Sequence, residues 1–357
     1  MKRYLILAAS LSVLGFASAQ AQVFPSPTHD NSASITQTGN LNDARINQAV
    51  NNIYNGQGNA EIIQSNSRGI ATITQTNATS AVAGGFDNTA SIDQRRNRDT
   101  ATIDQIHDYA ATRDNRATIV QAAANANATI QQRGDSNTAS IRQVNGSVTP
   151  TASIQQNGIF NVANVRQEGT NGLVTVLQGE YSDEPGQTQQ TTGSRVNVLN
   201  QGLNADIFVS QVGFTHTADI KEAGANGSIT VSMDGDRNDV LVTQNSTDGI
   251  IEITSFGDSF SNDVTVTQEL TDAGSTARVT QSGSFGTAII TQRDDQAGGG
   301  GNLAEVTQTG VGVTLADILS TITQNGGLNE ASVTQAGDYA QSGILQTGVG
   351  HTATVSQ

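Results

Sequence analysis

The sequence predicts an all-β solenoid, and three observations carry that expectation. An eleven-residue unit recurs along the chain, each unit alternates as a strand does, and the composition is too lean for a thick ordinary core. Of the 357 residues 35% are hydrophobic and 4% aromatic, Trp is absent, and there are 37 glycines. Such leanness at a net charge of −15 also describes disordered chains, so periodicity has to decide.

The repeat is anchored on glutamine. Gln37, Gln48, Gln132, Gln143, Gln156, Gln167, Gln324, Gln335 and Gln357 share one phase in a series of 26 anchors, of which 16 of the 25 gaps are eleven residues. One gap is twice eleven, and the others are 13, 16 or 19, so loops are inserted between units. Two residues before every anchor stands Ile or Val, as in Ile35, Ile46, Ile141, Ile154, Val165, Ile322, Val333 and Val355. Four residues before it the side chain is mostly Ala, Val or Ile, from Ala33 to Ala353. Spacing of two puts these three side chains on one face of a strand. Arg45, Asn47, Asp93, Asp104, Arg142, Arg166 and Glu305 fall on the other face, which is therefore solvated.

Between strands lie turn sequences with Gly39, Asn42, Gly134, Asn137, Gly158, Asn161, Gly326 and Asn329, residue types that supply positive φ and side-chain-bonded turns. About five strand and five turn residues cannot close a coil, but two such arcs can. The expectation is about 13 coils of roughly 22 residues, with two parallel sheets facing each other about 10 Å apart. A buried amide left unpaired costs about 1–3 kcal/mol, whereas amides stacked in register satisfy one another. The anchors are thus expected to form a core ladder that also penalises register slips.

The chain divides accordingly. Residues 1–21, with Lys2, Arg3, the apolar run Leu5–Phe16 and a small-residue exit, read as a removable export signal, and no membrane insertion is expected after its removal. Residues 22–32 are a short N-terminal segment, and 33–178 and 195–357 carry the repeats. Between them, 179–194 holds Pro185 and reads as an irregular or looped-out arc. Residues 196–264 are divergent: Val or Ile largely replaces Ala, and the anchor becomes Asn200, Glu222, Met233 or Ser255.

In these residues the chain resembles the curlin repeat family, the subunits of bacterial curli fibres. The pattern Gln-x-Gly-x-x-Asn-x-Ala-x-x-x-Gln is complete at Gln37-Gly39-Asn42-Ala44-Gln48, Gln132-Gly134-Asn137-Ala139-Gln143, Gln156-Gly158-Asn161-Ala163-Gln167 and Gln324-Gly326-Asn329-Ala331-Gln335. The resemblance implies a secreted functional amyloid at the cell surface, a fimbrium-like fibre serving cell adhesion and biofilm. It also implies an export pore, chaperone and nucleator proteins as partners. The chain has more repeats than the short curlins.

Other chemistry finds little footing in the sequence. There is no cysteine, which excludes thiolate metal sites and Cys nucleophiles. One lysine outside the export signal, Lys221, and the acidic balance disfavour nucleic acid as a partner. His29, His107, His216 and His351 never come within helix or hairpin spacing of each other, so no catalytic or metal site is expected, nor a cofactor. The stretch Asp234–Asp239 opens like a calcium loop but has Asp239 where Gly is required, and Asn238 keeps the phase of a repeat turn. The glycine run Gly298–Gly301 lacks the Lys of a phosphate loop and reads as an inserted loop.

No enzyme activity is expected. The first repeat begins soon after the signal and the last anchor, Gln357, ends the sequence, so the rung of Ala353, Val355 and Gln357 is expected to be an open polymer end. Open complementary ends give head-to-tail filaments, here a homopolymer. Two alternatives remain at this point. One is a nucleator or adhesin decorating fibres of another subunit, suggested by the divergent arcs. The other is an ice-binding solenoid, suggested by pairs such as Thr72/Thr74, Thr265/Thr267 and Thr321/Thr323 but opposed by the charged residues on the same face.

Overall fold

A computed structural model of the chain describes residues 7–11, 18–23, 32–50, 57–77, 87–107, 114–144, 146–179, 191–256, 261–270, 274–294, 300–310, 318–337 and 340–357. Every regular element in these segments is a β-strand. The strands form a β-solenoid of stacked two-strand coils, as the periodicity predicts. Apart from the short Thr191–Thr192, every strand from Ser32 onward contains or immediately precedes one of the anchor positions.

The chain forms two compact units, residues 1–171 with 180–190, and 172–179 with 191–357. In the first, one parallel sheet runs through Leu7–Leu11, Ser32–Gln37, Gln57–Gln64, Asp87–Gln94, Arg116–Gln121, Thr138–Gln143 and Val162–Gln167. The other runs through Ser18–Val23, Asp43–Val50, Ile70–Asn77, Thr100–His107, Asn127–Asp135 and Thr151–Ile159. Consecutive strands alternate between the sheets, because each turn carries the chain across the coil to the facing sheet.

The second unit repeats the plan. One sheet comprises Arg195–Asn200, Thr217–Glu222, Asp239–Asn245, Asp263–Leu270, Gly286–Asp294, Ile318–Asn325 and Gln341–Thr347. The other comprises Leu173–Gln178, Asp206–Gln211, Ser228–Met233, Ile250–Phe256, Thr276–Gly283, Leu303–Gly310, Glu330–Ala336 and Thr352–Ser356. Of the segment expected to be irregular, residues 180–190 lie outside the described residues, and Gly193 turns the chain at φ +70° before the buried Ser194.

Register is set by the repeat. Ile130 stacks between Ile103 and Ile154, and Gln132 between Gln105 and Gln156, without slippage. Burial follows the alternation: Asn127–Asp135 starts exposed, buried, intermediate, buried, with Ala128 and Ile130 fully buried. The divergent rungs obey the same rule, since Val196, Ile207, Ile229, Val240, Ile251 and Val264 are all buried. Larger side chains there fill the core without changing its phase. On the outer faces, threonines stack rung on rung, as in Thr243, Thr267, Thr291 and Thr323, an arrangement in which β-branched neighbours support each other.

Leu7–Leu11, within the segment read as an export signal, and Ser18–Val23, which begins within it, pair in parallel with Ala33–Gln37 and Asp43–Gln48. The alternation of small residues that suits a cleavage region also suits a strand, so Ala19 and Ala21 take the register of Ala44 and Ile46. The turns differ from expectation. Gly39, Gly134, Gly158 and Gly326 have φ between +109° and +115°, as their type allows, but Gly134 and Gly158 lie within the strands Asn127–Asp135 and Thr151–Ile159 and pair with each other, because the ladder continues past the anchor there. The partner asparagines do not supply positive φ; the preceding Leu41, Ser136, Phe160 and Leu328 do, at +57° to +60°. Backbone stacking explains this: Phe160 N–H donates to Asp135 O at 3.1 Å, and Leu328 N–H to Gly300 O at 2.9 Å. The left-handed conformation aims an amide at the preceding rung, whatever its side chain.

Candidate functional site

The expected ladder residues come together as two files of amides in each unit. In the first unit, Gln37, Gln64, Gln94, Gln121, Gln143 and Gln167 form one file, each Nε2 donating to the next Oε1 at 2.7–3.0 Å. Gln48, Gln75, Gln105, Gln132 and Gln156 form the other, with every step at 2.8 Å. The direction is uniform, from the N-terminal rung to the C-terminal one. All these side chains are buried.

Each amide has a second N–H, whose use the sequence did not reveal. It bonds a carbonyl of the facing sheet: Gln132 Nε2 to Arg116 O and Gln143 Nε2 to Asn127 O, both at 3.0 Å. The anchors therefore join rungs along the stack and also tie the two sheets across the coil. A hydrophobic side chain at the anchor could fill the space but make neither bond. Gln105→Leu is expected to lower stability by about 1–3 kcal/mol in urea unfolding, because Gln132 Oε1 stays buried and loses its donor. An equally stable variant would remove the ladder from the account of stability.

The turn asparagines are also buried ladder members. Asn137 N–H donates to Asn115 Oδ1 at 3.0 Å, and Asn161 N–H to Asn137 Oδ1 at 3.1 Å. At the opposite corner, Asn42 Oδ1 receives Gly69 N–H at 3.0 Å and Asn329 Oδ1 receives His351 N–H at 3.1 Å. The side-chain oxygen replaces the backbone acceptor that the turn removes from the sheet. Asp234–Asp239 folds as such a repeat turn, with Asn238 buried and its Nδ2 donating to Asp234 O at 3.0 Å.

Three ionisable groups, Asp99, His216 and His351, take asparagine positions in these corner ladders. Asp99 receives the Ala126 and Arg96 N–H groups at 3.2 Å, and burial pushes its carboxyl up to about 7 against the opposing effect of those donors. His216 is fully buried, and its Nδ1 stands 3.4 Å from Asn238 N while Nε2 lies 2.9 Å from Val212 O. This geometry suits neutral imidazole with the proton on Nε2. Burial lowers its pKa, although Val212 O, Asp234 and Asp236 act in the opposite direction.

The ladders of the second unit resume at Gln268, Gln292, Gln324 and Gln346, and at Gln281, Gln308, Gln335 and Gln357. Before that they are interrupted. Met233 and Ser255 offer no amide, and Gln211 Nε2, Gln281 Oε1, Asn200 Nδ2, Glu222 Oε2, Gln268 Oε1 and both polar atoms of the Gln244 amide are buried without hydrogen bonds. The signal was present in the sequence, in the phase of Glu222 and its neighbours.

The rung predicted as a polymer end differs from interior rungs. Ala331, Val333 and Gln335 are buried, whereas their stacked equivalents Ala353 and Val355 are half-buried and Gln357 is exposed. Gln357 receives Gln335 Nε2 at 3.5 Å, and its own Nε2 turns to Gln341 O at 3.1 Å. No model of a known protein family matches the chain, and no curated protein matches it.

Proposed function

We propose that this chain is the structural subunit of an extracellular curli-like amyloid fibre, polymerising rung on rung in adhesion and biofilm matrix. One observation carries the reading: through the first unit each rung presents to the next the same apolar stack and one-directional amide donors, so a rung of another copy meets the same surface as a rung of its own chain. A rung laid on Thr352–Ser356 would bury Ala353 and Val355 to the level of Ala331 and Val333. Added strands also satisfy the backbone donors and acceptors of an open sheet edge. The partners are further copies of the chain, with an export pore, chaperone and nucleator as the family resemblance implies.

The test is to follow the purified chain, without residues 1–21, by thioflavin fluorescence and fibre diffraction. Growth with a meridional reflection at about 4.7–4.8 Å is expected. A chain that stays monomeric for days and gives no such reflection defeats the proposal.

A second reading draws on the ladder interruption between Asn200 and Gln281. A block with unpaired buried amides is a poorer template, and would suit a nucleator or adhesin carried on fibres of another subunit. Slow growth alone but efficient seeding of a regular curlin-type chain would favour this reading over the first.

A further inference from the structure

We propose that Glu222 is a proton-gated rung: the second unit tightens when this carboxyl is protonated and loosens when it ionises, which makes stability of the solenoid responsive to external pH. This regulation concerns folding of the chain itself and stands whether or not the chain polymerises.

The argument begins with position. Glu222 occupies an anchor in the sheet strand Thr217–Glu222, stacked between Asn200 and Gln244. Its side chain is fully buried. Oε1 receives Gly224 N–H at 2.8 Å, while Oε2 has no hydrogen bond. On its flanks, Asn200 Nδ2 and both polar atoms of the Gln244 amide are likewise unbonded. Glycine keeps the corner open for the carboxyl: a Cβ on Gly227 or Gly202 would stand 2.7 Å from Oε1.

Beyond the Gly224 N–H, the surroundings offer an ionised Glu222 no compensation. The flanking strands turn Asn200 and Gln244 inward, and the facing strands Asp206–Gln211 and Ser228–Met233 turn in Ile207, Val209, Gln211, Ile229, Val231 and Met233. Among the described residues no charged side chain contributes to its ionisation; Lys221 lies on the opposite face of the strand. Burial therefore raises the carboxyl from 4.5 to about 7, with the Gly224 N–H acting against it. Protonated, the carboxyl has the hydrogen-bonding character of the amide it replaces. It gains one donor for an acceptor such as Gln244 Oε1 and keeps acceptor capacity for a donor such as Asn200 Nδ2.

The sign follows from linkage. The folded pKa is raised, so the contribution is fully present below the unfolded pKa and is lost as pH rises through 4.5 to about 7. Between pH 4.5 and 8 the folding equilibrium constant should fall roughly 100-fold on account of this one group.

The experiment is reversible urea unfolding of the full chain and of Glu222→Gln at pH 4.5 and pH 8, at matched ionic strength. Asp99 and His216 titrate in both proteins and cancel in the comparison. The gap in favour of Glu222→Gln is expected to widen by roughly 100-fold in equilibrium constant from the lower to the higher pH. A gap that is the same at both values overturns the proposal and leaves Glu222 as a fixed packing residue. Should unfolding prove irreversible, the carboxyl carbon resonance of Glu222, assigned by its loss in the variant, gives the answer directly. A midpoint near neutrality supports the gate, and one near 4.5 overturns it.

Discussion

Gly134→Ala is expected to destabilise the first unit by about 3 kcal/mol or more, although it adds a single methyl group near the end of the strand Asn127–Asp135. Two costs combine. Gly134 sits at φ +112°, where a side chain is strained, and the new Cβ would stand 2.1 Å from Gly158 O. That oxygen belongs to the next rung and already accepts Asn137 Nδ2 at 2.9 Å, so it cannot move without breaking the corner ladder. Gly146 supplies the control. Its φ is +109°, yet nothing lies within 4 Å of a Cβ built there. Gly146→Ala should therefore cost only the backbone contribution, about 1 kcal/mol. The two variants, compared by urea unfolding, separate strain from close approach; equal costs would show that stacking contributes nothing.

Ile130→Ala is expected to cost about 3–5 kcal/mol, the upper part of the range for truncating a buried Ile. The reason lies in what can relax. In a globular core neighbouring elements shift into a cavity, but here the strands on either side are held at hydrogen-bonded spacing. Ile103 and Ile154, above and below, are fixed by the same ladders that fix Ile130, and all three are fully buried. The cavity should stay open. Unfolding measured for Ile130→Val and Ile130→Ala gives the slope, and a loss below about 2 kcal/mol for the alanine would mean that the coil collapses after all.

Much of this architecture was legible because the solenoid repeats one local decision. The position of Ile35, Ile46 and their equivalents two residues before each anchor defines the inward face, and a phase kept through 26 units leaves one consistent register. What escaped the sequence depends on neighbours outside the unit. Positive φ at Leu41, Ser136, Phe160 and Leu328 is required by an amide's partner on another rung, so no residue preference announces it. The second hydrogen bond of each glutamine crosses to a strand whose distance follows from coil closure. The asparagine corners were legible as positions between strands, but their burial is a property of stacking. Glu222 and Asp99 were visible at ladder phase, and what composition alone could not convey was how little solvent reaches them.

The left-handed corner residues have a consequence of a different kind. At Leu41, Arg68, Arg98 and Asn125 the backbone makes the same turn with an aliphatic, two cationic and an amide side chain in a row. Arg68 N–H reaches Asn40 O, Arg98 N–H reaches Ser67 O and Asn125 N–H reaches Asn97 O, so the main chain alone makes the rung-to-rung bonds at this position. The corner is a rail of equivalent sockets along the first unit. What is displayed in each socket can change while the coil beneath it does not, so the surface of this chain can diversify residue by residue without renegotiating the core.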